Sequence, residues 1–314
     1  MNTRFLHKSV LLQESIDGLD MQPGDIYLDG TLGSGGHAEA ALHAVHAVNA
    51  AGRVTVIGLD RDEDALKRAG ERLAAKGTQS ASGENATVIL RQANYRDLDH
   101  VLDEINVPQV NKIMLDIGLS SDQFDTSRRG FSFKEREPLL MTMEKHPELS
   151  TLTAKEIVNE WDEENIADII YGYGEERYSR KIAKEIVAAR AIAPIRTTDE
   201  LVEIIKKATP FWYHRGKIHP ATRTFQALRI TVNDELNALK DGMRKGWDRL
   251  APGGRMAIIS FHSLEDRLVK NFYKEKALAG EGTILTKKPI TASDAELKEN
   301  PRARSAKLRI IQKN

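Results

Sequence analysis

The chain has 314 residues, 40% of them hydrophobic, with 46 Lys+Arg balanced by 46 Asp+Glu. That length and balance suit one large globular domain or two ordinary ones, and a zero formal charge means that any polyanion must be met by a local patch. The absence of cysteine excludes disulfides, thiolate zinc sites and thiol nucleophiles, and with them methyl transfer to carbon 5 of a pyrimidine, which generally needs a sulfur nucleophile.

No apolar run approaches the roughly 18 residues of a membrane span. The N-terminal "MNTRFLHKSVLLQES" lacks the apolar centre of a signal peptide. No membrane association and a cytoplasmic location are therefore expected. The first third alternates strand and helix patterns. "DIYLDG" reads as a strand ending at Asp29, and "HAEAALHAVHAV" as a helix. "RVTVIGLD" is a β-branched strand ending at Asp60, followed by the helical "RDEDALKRAGERLAAK". "ATVILRQANY" and "VNKIMLDIG" supply a third and a fourth strand. Such alternation predicts parallel βαβ units in a doubly wound α/β sheet.

The alternation stops near Phe124. From there to about Arg215 the pattern is helical, with "TAKEIVNEWDEENIADIIYGYG", "RYSRKIAKEIVAARAI" and the Thr-capped "TTDELVEIIKKA". "ATRTFQALRITVNDELNALKDGMRKGWDRL" predicts one long amphipathic helix, with Phe225, Leu228, Val232 and Leu236 on one face. "GGRMAIISF" predicts a strand, "SLEDRLVKNFYKEKA" a helix and "AKLRIIQK" a closing edge strand. The expected organisation is an α/β domain in two parts, 1–125 and 216–314, interrupted by an all-helical insertion over 126–215. Charge is uneven along it. Residues 122–170 hold roughly twice as many acids as bases and residues 175–229 roughly the reverse, with Arg177, Lys181, Arg215, Lys217 and Arg223 among the bases.

Three stretches carry chemistry. In "YLDGTLGSGGHAEAAL", Gly33, Gly35 and Gly36 let the chain turn after the first strand and approach a ligand at the following helix N-terminus. Asp60 suits a ribose diol. The spacing also fits GxGxxA, so a nicotinamide oxidoreductase and a methyltransferase remain open here. Asp29 inclines the balance, because an acid four residues before the loop binds a methionine ammonium and repels a diphosphate. In "MLDIGLSSDQFD", Asp116 ends the fourth strand, facing the reactive end of a ligand bound above the sheet, with Ser120, Ser121 and Gln123 beside it. Phe131 and Phe133 in "RRGFSF" fit either base stacking or core packing. In "SFHSLEDR", His262, Glu265 and Asp266 offer a metal-like set, but Ser263 with Asp266 also reads as a capping box, and no metal is expected.

These motifs occur together and in order: "HKSVLLQES", "DGTLGSGGH", "LDRD", "LDIGLSSDQFD", "RGFSF", "YGEER", "HPATRTFQALRITVNDEL", "ISFHSLEDR" and "NPRARSAKLR". They closely resemble the bacterial small-subunit rRNA (cytosine-N4)-methyltransferases, the MraW family, across nearly the whole chain. The resemblance implies a class I S-adenosylmethionine-dependent methyltransferase fold, Rossmann-like, with a helical insertion that recognises substrate. It implies S-adenosyl-L-methionine as cofactor and a cytosine N4 in the decoding region, the P site, of 16S rRNA as the target, with that RNA met within the small ribosomal subunit. Carried over by position, Gly35, Gly36, His37, Asp60, Tyr95, Asp116 and Gln123 contact the cofactor, and Asp116 is the candidate proton acceptor. The family's usual "GPLDMRMD" is here "EPLLMTME", with Leu140 for an Asp and Thr142 for an Arg. That departure keeps a non-catalytic ribosome-assembly protein, or an amino-methyltransferase for another RNA or a protein, as alternatives. Oligomeric state, a homodimer included, is left open by the sequence.

Overall fold

The computed structural model describes residues 9–48, 53–77, 86–118, 128–144 and 151–314. The chain divides into two compact units, Met1–Gly118 with Leu236–Asn314, and Leu119–Glu235.

The first unit is built on a seven-stranded sheet. Its strands are β1 (Ile26–Asp29), β2 (Val54–Asp60), β3 (Ala86–Gln92), β4 (Val110–Asp116), β5 (Leu250–Ser260), β6 (Gly282–Ile284) and β7 (Lys307–Lys313). The order is β3-β2-β1-β4-β5-β7-β6. The first five run parallel, and β7 is antiparallel to both β5 and β6. Strand order reverses between β1 and β4, which opens a crevice above their carboxyl ends. This is the sheet of the class I S-adenosylmethionine-dependent methyltransferase fold, as expected. The expected edge strand over "AKLRIIQK" instead lies inside the sheet, because the three-residue β6 pairs with its outer side. Three residues carry no readable alternation, so β6 is invisible locally.

Both sheet faces are covered, which explains the nearly continuous apolar strands. Tyr27, Val56, Met114, Ala257 and Ile259 pack with residues of helices α1 (Leu12–Leu19), α2 (Gly36–Val48) and α3 (Glu63–Gly77). Leu28, Ile57, Leu59, Ile113, Leu115 and Ile258 face the opposite core with Leu98, Leu102, Leu239, Met243, Trp247 and Tyr273. These last six come from α4 (Leu98–Glu104), α10 (Glu235–Arg249) and α11 (Ser263–Leu278).

The second unit is helical, with α5 (Ala154–Glu160), α6 (Glu163–Gly174), α7 (Ser179–Arg190), α8 (Thr198–Ala208) and α9 (Thr222–Asn233). Thr153 with Glu156 and Thr197 with Glu200 form capping boxes at α5 and α8, which fixes their starts. Ile157, Ile166, Ile170, Ile182, Ile186, Leu201, Ile205, Phe225 and Leu228 form its core. The single long helix expected over 221–250 is broken at Asp234, which takes a left-handed conformation with φ 49° and caps α9. Thr222–Asn233 therefore belongs to the helical unit, whose bounds run to Glu235 rather than 215. Among the described residues, no helix is long and apolar enough to cross a membrane.

Candidate active site

Three carboxylates end neighbouring strands of the first unit. Asp29 pairs in register with Gly58 of β2 and Met114 of β4. Asp60 and Asp116 lie two residues further along, so all three point to the same side of the sheet. Asp29 is only 1% exposed. Its Oδ1 accepts the Thr31 N–H at 3.1 Å and its Oδ2 the Tyr27 hydroxyl at 3.2 Å. Burial pushes its pKa up to about 7, and the charges of Asp116 and Asp60 add to that, against the two donors. Asp116 also rises to about 7, through burial and then the negative charge of Glu265, with the Gly118 N–H opposing. Burial likewise raises Asp60.

Asp116 is anchored through its backbone, whose N–H donates to the Thr31 hydroxyl at 2.6 Å. Its Oδ1 is buried and has no hydrogen-bond partner among the described residues. A buried carboxylate oxygen without a donor is costly, so the site is complementary to a ligand that brings an N–H or a positive charge. Neighbouring buried acids repel a diphosphate and favour a cation. A sulfonium with an ammonium fits this setting; a dinucleotide does not.

The glycine loop is tied to the same cluster. Gly33 donates its N–H to Asp60 Oδ2 at 2.8 Å, and Asp60 Oδ1 accepts from the Asp62 N–H at 2.9 Å. Asp60 thus fastens the loop to β2 and keeps lone pairs for a hydroxyl. Gly35 has φ 78°, and a Cβ there would lie 3.2 Å from the Ala69 Cβ. A side chain at Gly36 would run into the Ser9 hydroxyl. Both glycines are thus demanded by close packing of loop and helix, whatever the loop binds. His37 is buried, with Nε2 at 3.2 Å from the Val10 carbonyl oxygen. Tyr95 opens a short 3-10 turn, Tyr95–Asp97, and packs against Gly30 and Gly242, where a Cβ would meet its side chain. Gln123, Ser120 and Ser121 lie outside the described residues.

Sequence patterns do not single out Thr31 or Tyr27, yet these two residues hold Asp116 and Asp29 in place. Their only signal is position, flanking the acid in "YLDGT". The metal-like set resolves differently. His262, not Ser263, caps α11, in a capping box with Glu265. Asp266 is taken by Arg309 at 2.7 Å and Lys307 at 3.2 Å, which lowers its pKa below the usual carboxylate value against the rise from burial.

In the helical unit, both phenylalanines take part in packing. Phe131 is buried in the core, and Phe133 stacks on His219 with centroids 4.5 Å apart. The unusual "EPLLMTME" stretch is held mainly through its backbone. Asn233 accepts the Met143 N–H and donates to the Met141 carbonyl, each at 2.8 Å. Arg129 donates to the Met143 carbonyl at 2.8 Å. The Thr142 side chain, 2% exposed, accepts the nearby Glu144 N–H at 3.2 Å and makes no other hydrogen bond among the described residues. Substitution at 140 and 142 therefore leaves these anchors intact.

Comparison with known proteins agrees with this chemistry. Residues 4–314 match the model of the MraW methylase family. The chain is 48% identical to "Ribosomal RNA small subunit methyltransferase H" of Deinococcus radiodurans, covering 98% of this chain and 89% of that one. It is 45% identical to the protein of the same name from Symbiobacterium thermophilum, over 98% and 97%. For that of Syntrophotalea carbinolica the identity is 43%, over 98% of both chains. Among solved structures, an rRNA methylase from Streptococcus thermophilus aligns over 98% of both chains with 13% identity and a TM-score of 0.41, too remote to add to these.

Proposed function

The chain belongs to the MraW methylase family, and from that membership we propose that it methylates the exocyclic N4 of a cytosine in the decoding region, the P site, of small-subunit 16S rRNA. The names of its relatives support methylation of small-subunit rRNA. Cytosine N4 is favoured over carbon 5 because the chain has no cysteine to activate the ring.

S-adenosyl-L-methionine is the cofactor, and it supplies an electrophilic methyl group on a positively charged sulfur. Asp29, Asp60 and Asp116 provide the negative environment for that cation, with Asp29 toward the methionine ammonium and Asp60 toward the ribose. Gly35, Gly36, His37, Tyr95 and Gln123 complete the cofactor site in this reading. The cytosine amine is a poor nucleophile because its lone pair is delocalised into the ring. An acceptor on its N–H polarises it, and Asp116 Oδ1 is the acceptor. The cofactor would supply the methyl group that the amine gains, and the proton that the amine loses passes to Asp116 and on to water. A base with a pKa near the working pH suits this role. The target base must leave its stack to reach the site, and the helical unit, whose second half is basic, is the part that recognises the RNA.

The observation that carries the reading is Asp116 Oδ1, buried at the end of β4 without a hydrogen-bond partner among the described residues. The test is to incubate the protein with S-adenosylmethionine and small ribosomal subunits lacking the modification, then seek N4-methylcytidine by mass spectrometry. Wild type is expected to form it, and Asp116→Asn to lose at least about a hundredfold in rate with no loss of thermal stability. Near-normal turnover by Asp116→Asn would refute the role of this residue. Absence of N4-methylcytidine with intact cofactor binding would refute the target.

A further inference from the structure

The basic half of the helical unit carries an exposed aromatic and cationic surface. After α8 the chain forms a 3-10 turn over Phe211–Arg215. Phe211 is 70% exposed, Trp212 60% and Ile218 55%, an unusual density of large apolar groups on a surface. Arg177, before α7, holds its guanidinium over three rings: Tyr178 at 4.9 Å, Trp212 at 5.0 Å and Tyr213 at 5.5 Å. Lys181 sits over Tyr178 at 6.0 Å and Arg215 over Phe211 at 4.7 Å. Trp212, Tyr213, Gly216, Lys217, Ile218 and Arg223 line a cleft of about 260 Å³.

The cluster is preorganised. Glu176 is fully buried. It accepts the Tyr213 hydroxyl at 2.5 Å and the Tyr178 N–H at 2.8 Å. Tyr213 and Tyr178 meet edge to face at 5.2 Å, and Arg223 donates to the Glu175 carbonyl at 2.8 Å. The rings are thus held from beneath while Trp212 stays open. The charge is not compensated. Arg177, Lys181, Arg215 and Lys217 have no carboxylate partner among the described residues, whereas Lys206 and Lys207, along α8, are paired with Glu203 and Glu185. Glu175 is the sole exposed acid of the 175–184 segment.

Open aromatic faces interleaved with unpaired cations are the means by which proteins hold unpaired nucleic acid: bases stack, and phosphates meet the charges. We propose that this surface binds an unpaired stretch of the substrate RNA, one base stacking on Trp212 in the cleft and adjacent phosphates meeting Arg215 and Lys217. The inference rests on RNA being the substrate, not on which atom is methylated.

The test uses the full-length protein, a fluorescein-labelled single-stranded oligocytidine, protein-free small-subunit rRNA and unmodified small subunits. Trp212→Ala is expected to raise the Kd for all three, and the KM for subunits, about tenfold, with kcat and cofactor affinity unchanged. Trp212→Phe should restore most of the affinity. Replacing Arg215 and Lys217 by Gln together should reduce the slope of log Kd against log salt by about 1.4. Unchanged RNA affinity and salt slope in these variants, with wild-type melting profiles, would overturn the proposal. So would weakened binding to assembled subunits alone, which would assign the surface to a protein. If wild type makes no N4-methylcytidine while Trp212→Ala still loses RNA affinity, the proposed reaction fails and this surface stands.

Discussion

Asp29 gives the sharpest physical test of the acid cluster. Its pKa rises from 3.8 to about 7, a difference that corresponds to about 4 kcal/mol. The folded protein holds this proton more tightly than the unfolded chain does. Ionisation therefore erodes stability as pH rises from about 4 to about 7, and the loss is complete above that. Asp29→Asn removes the charge and keeps the local bonds. Its Oδ1 still accepts the Thr31 N–H, and its Nδ2 donates to the Tyr27 hydroxyl oxygen, reversing the present direction. In the cofactor-free protein the variant should melt about 6 °C higher than wild type at pH 8 and only about 2 °C higher at pH 5. Calorimetry at the two pH values measures this directly. The same substitution should weaken S-adenosylmethionine binding about tenfold or more, because a charge-assisted hydrogen bond to the ammonium is lost. A stability gain independent of pH would refute the account of a desolvated, mutually repelling cluster. An unchanged cofactor affinity would show that Asp29 does not meet the ammonium.

Asp116 must be ionised to accept the amine proton, so kcat/KM should fall as pH drops through about 7. The bound cation should move the corresponding inflection in kcat to lower pH, and coincident inflections would argue against contact between this acid and the cofactor. Asn233→Ala leaves the Met143 N–H and the Met141 carbonyl without partners. It should cost about 2–4 kcal/mol and expose the 139–143 stretch to limited proteolysis; denaturant melts with the stability of wild type would show that these bonds do not hold it.

Much of the methyltransferase unit is legible in the chain because its signals are local. Short, nearly continuous apolar runs give β1 to β5, helical spacing gives α2, α3 and α11, and each acid at the ends of β1, β2 and β4 follows the last apolar residue of its strand. The Thr caps of α5 and α8 are equally local, since a cap and its partner are three residues apart. The break at Asp234 is weaker in sequence, because one left-handed residue interrupts an otherwise continuous amphipathic pattern.

Other features depend on partners far along the chain. The interior position of β7 follows from three residues near 283. Phe133 stacks one face on His219, and "EPLLMTME" is held by Asn233, each more than eighty residues away. Arg177 reaches the aromatic turn only through the packing of the helical unit. By itself the sequence determined the first five strands and the helices between β1 and β3, the glycine turn and the acids at the strand ends, because backbone preference and apolar periodicity act over a few residues. Only the tertiary structure decided that Asp29 and Asp116 are desolvated and that Phe133 stacks on His219 while Trp212 is exposed. Burial and ring contact are set by which distant segments close over a side chain, and no local pattern encodes that closure.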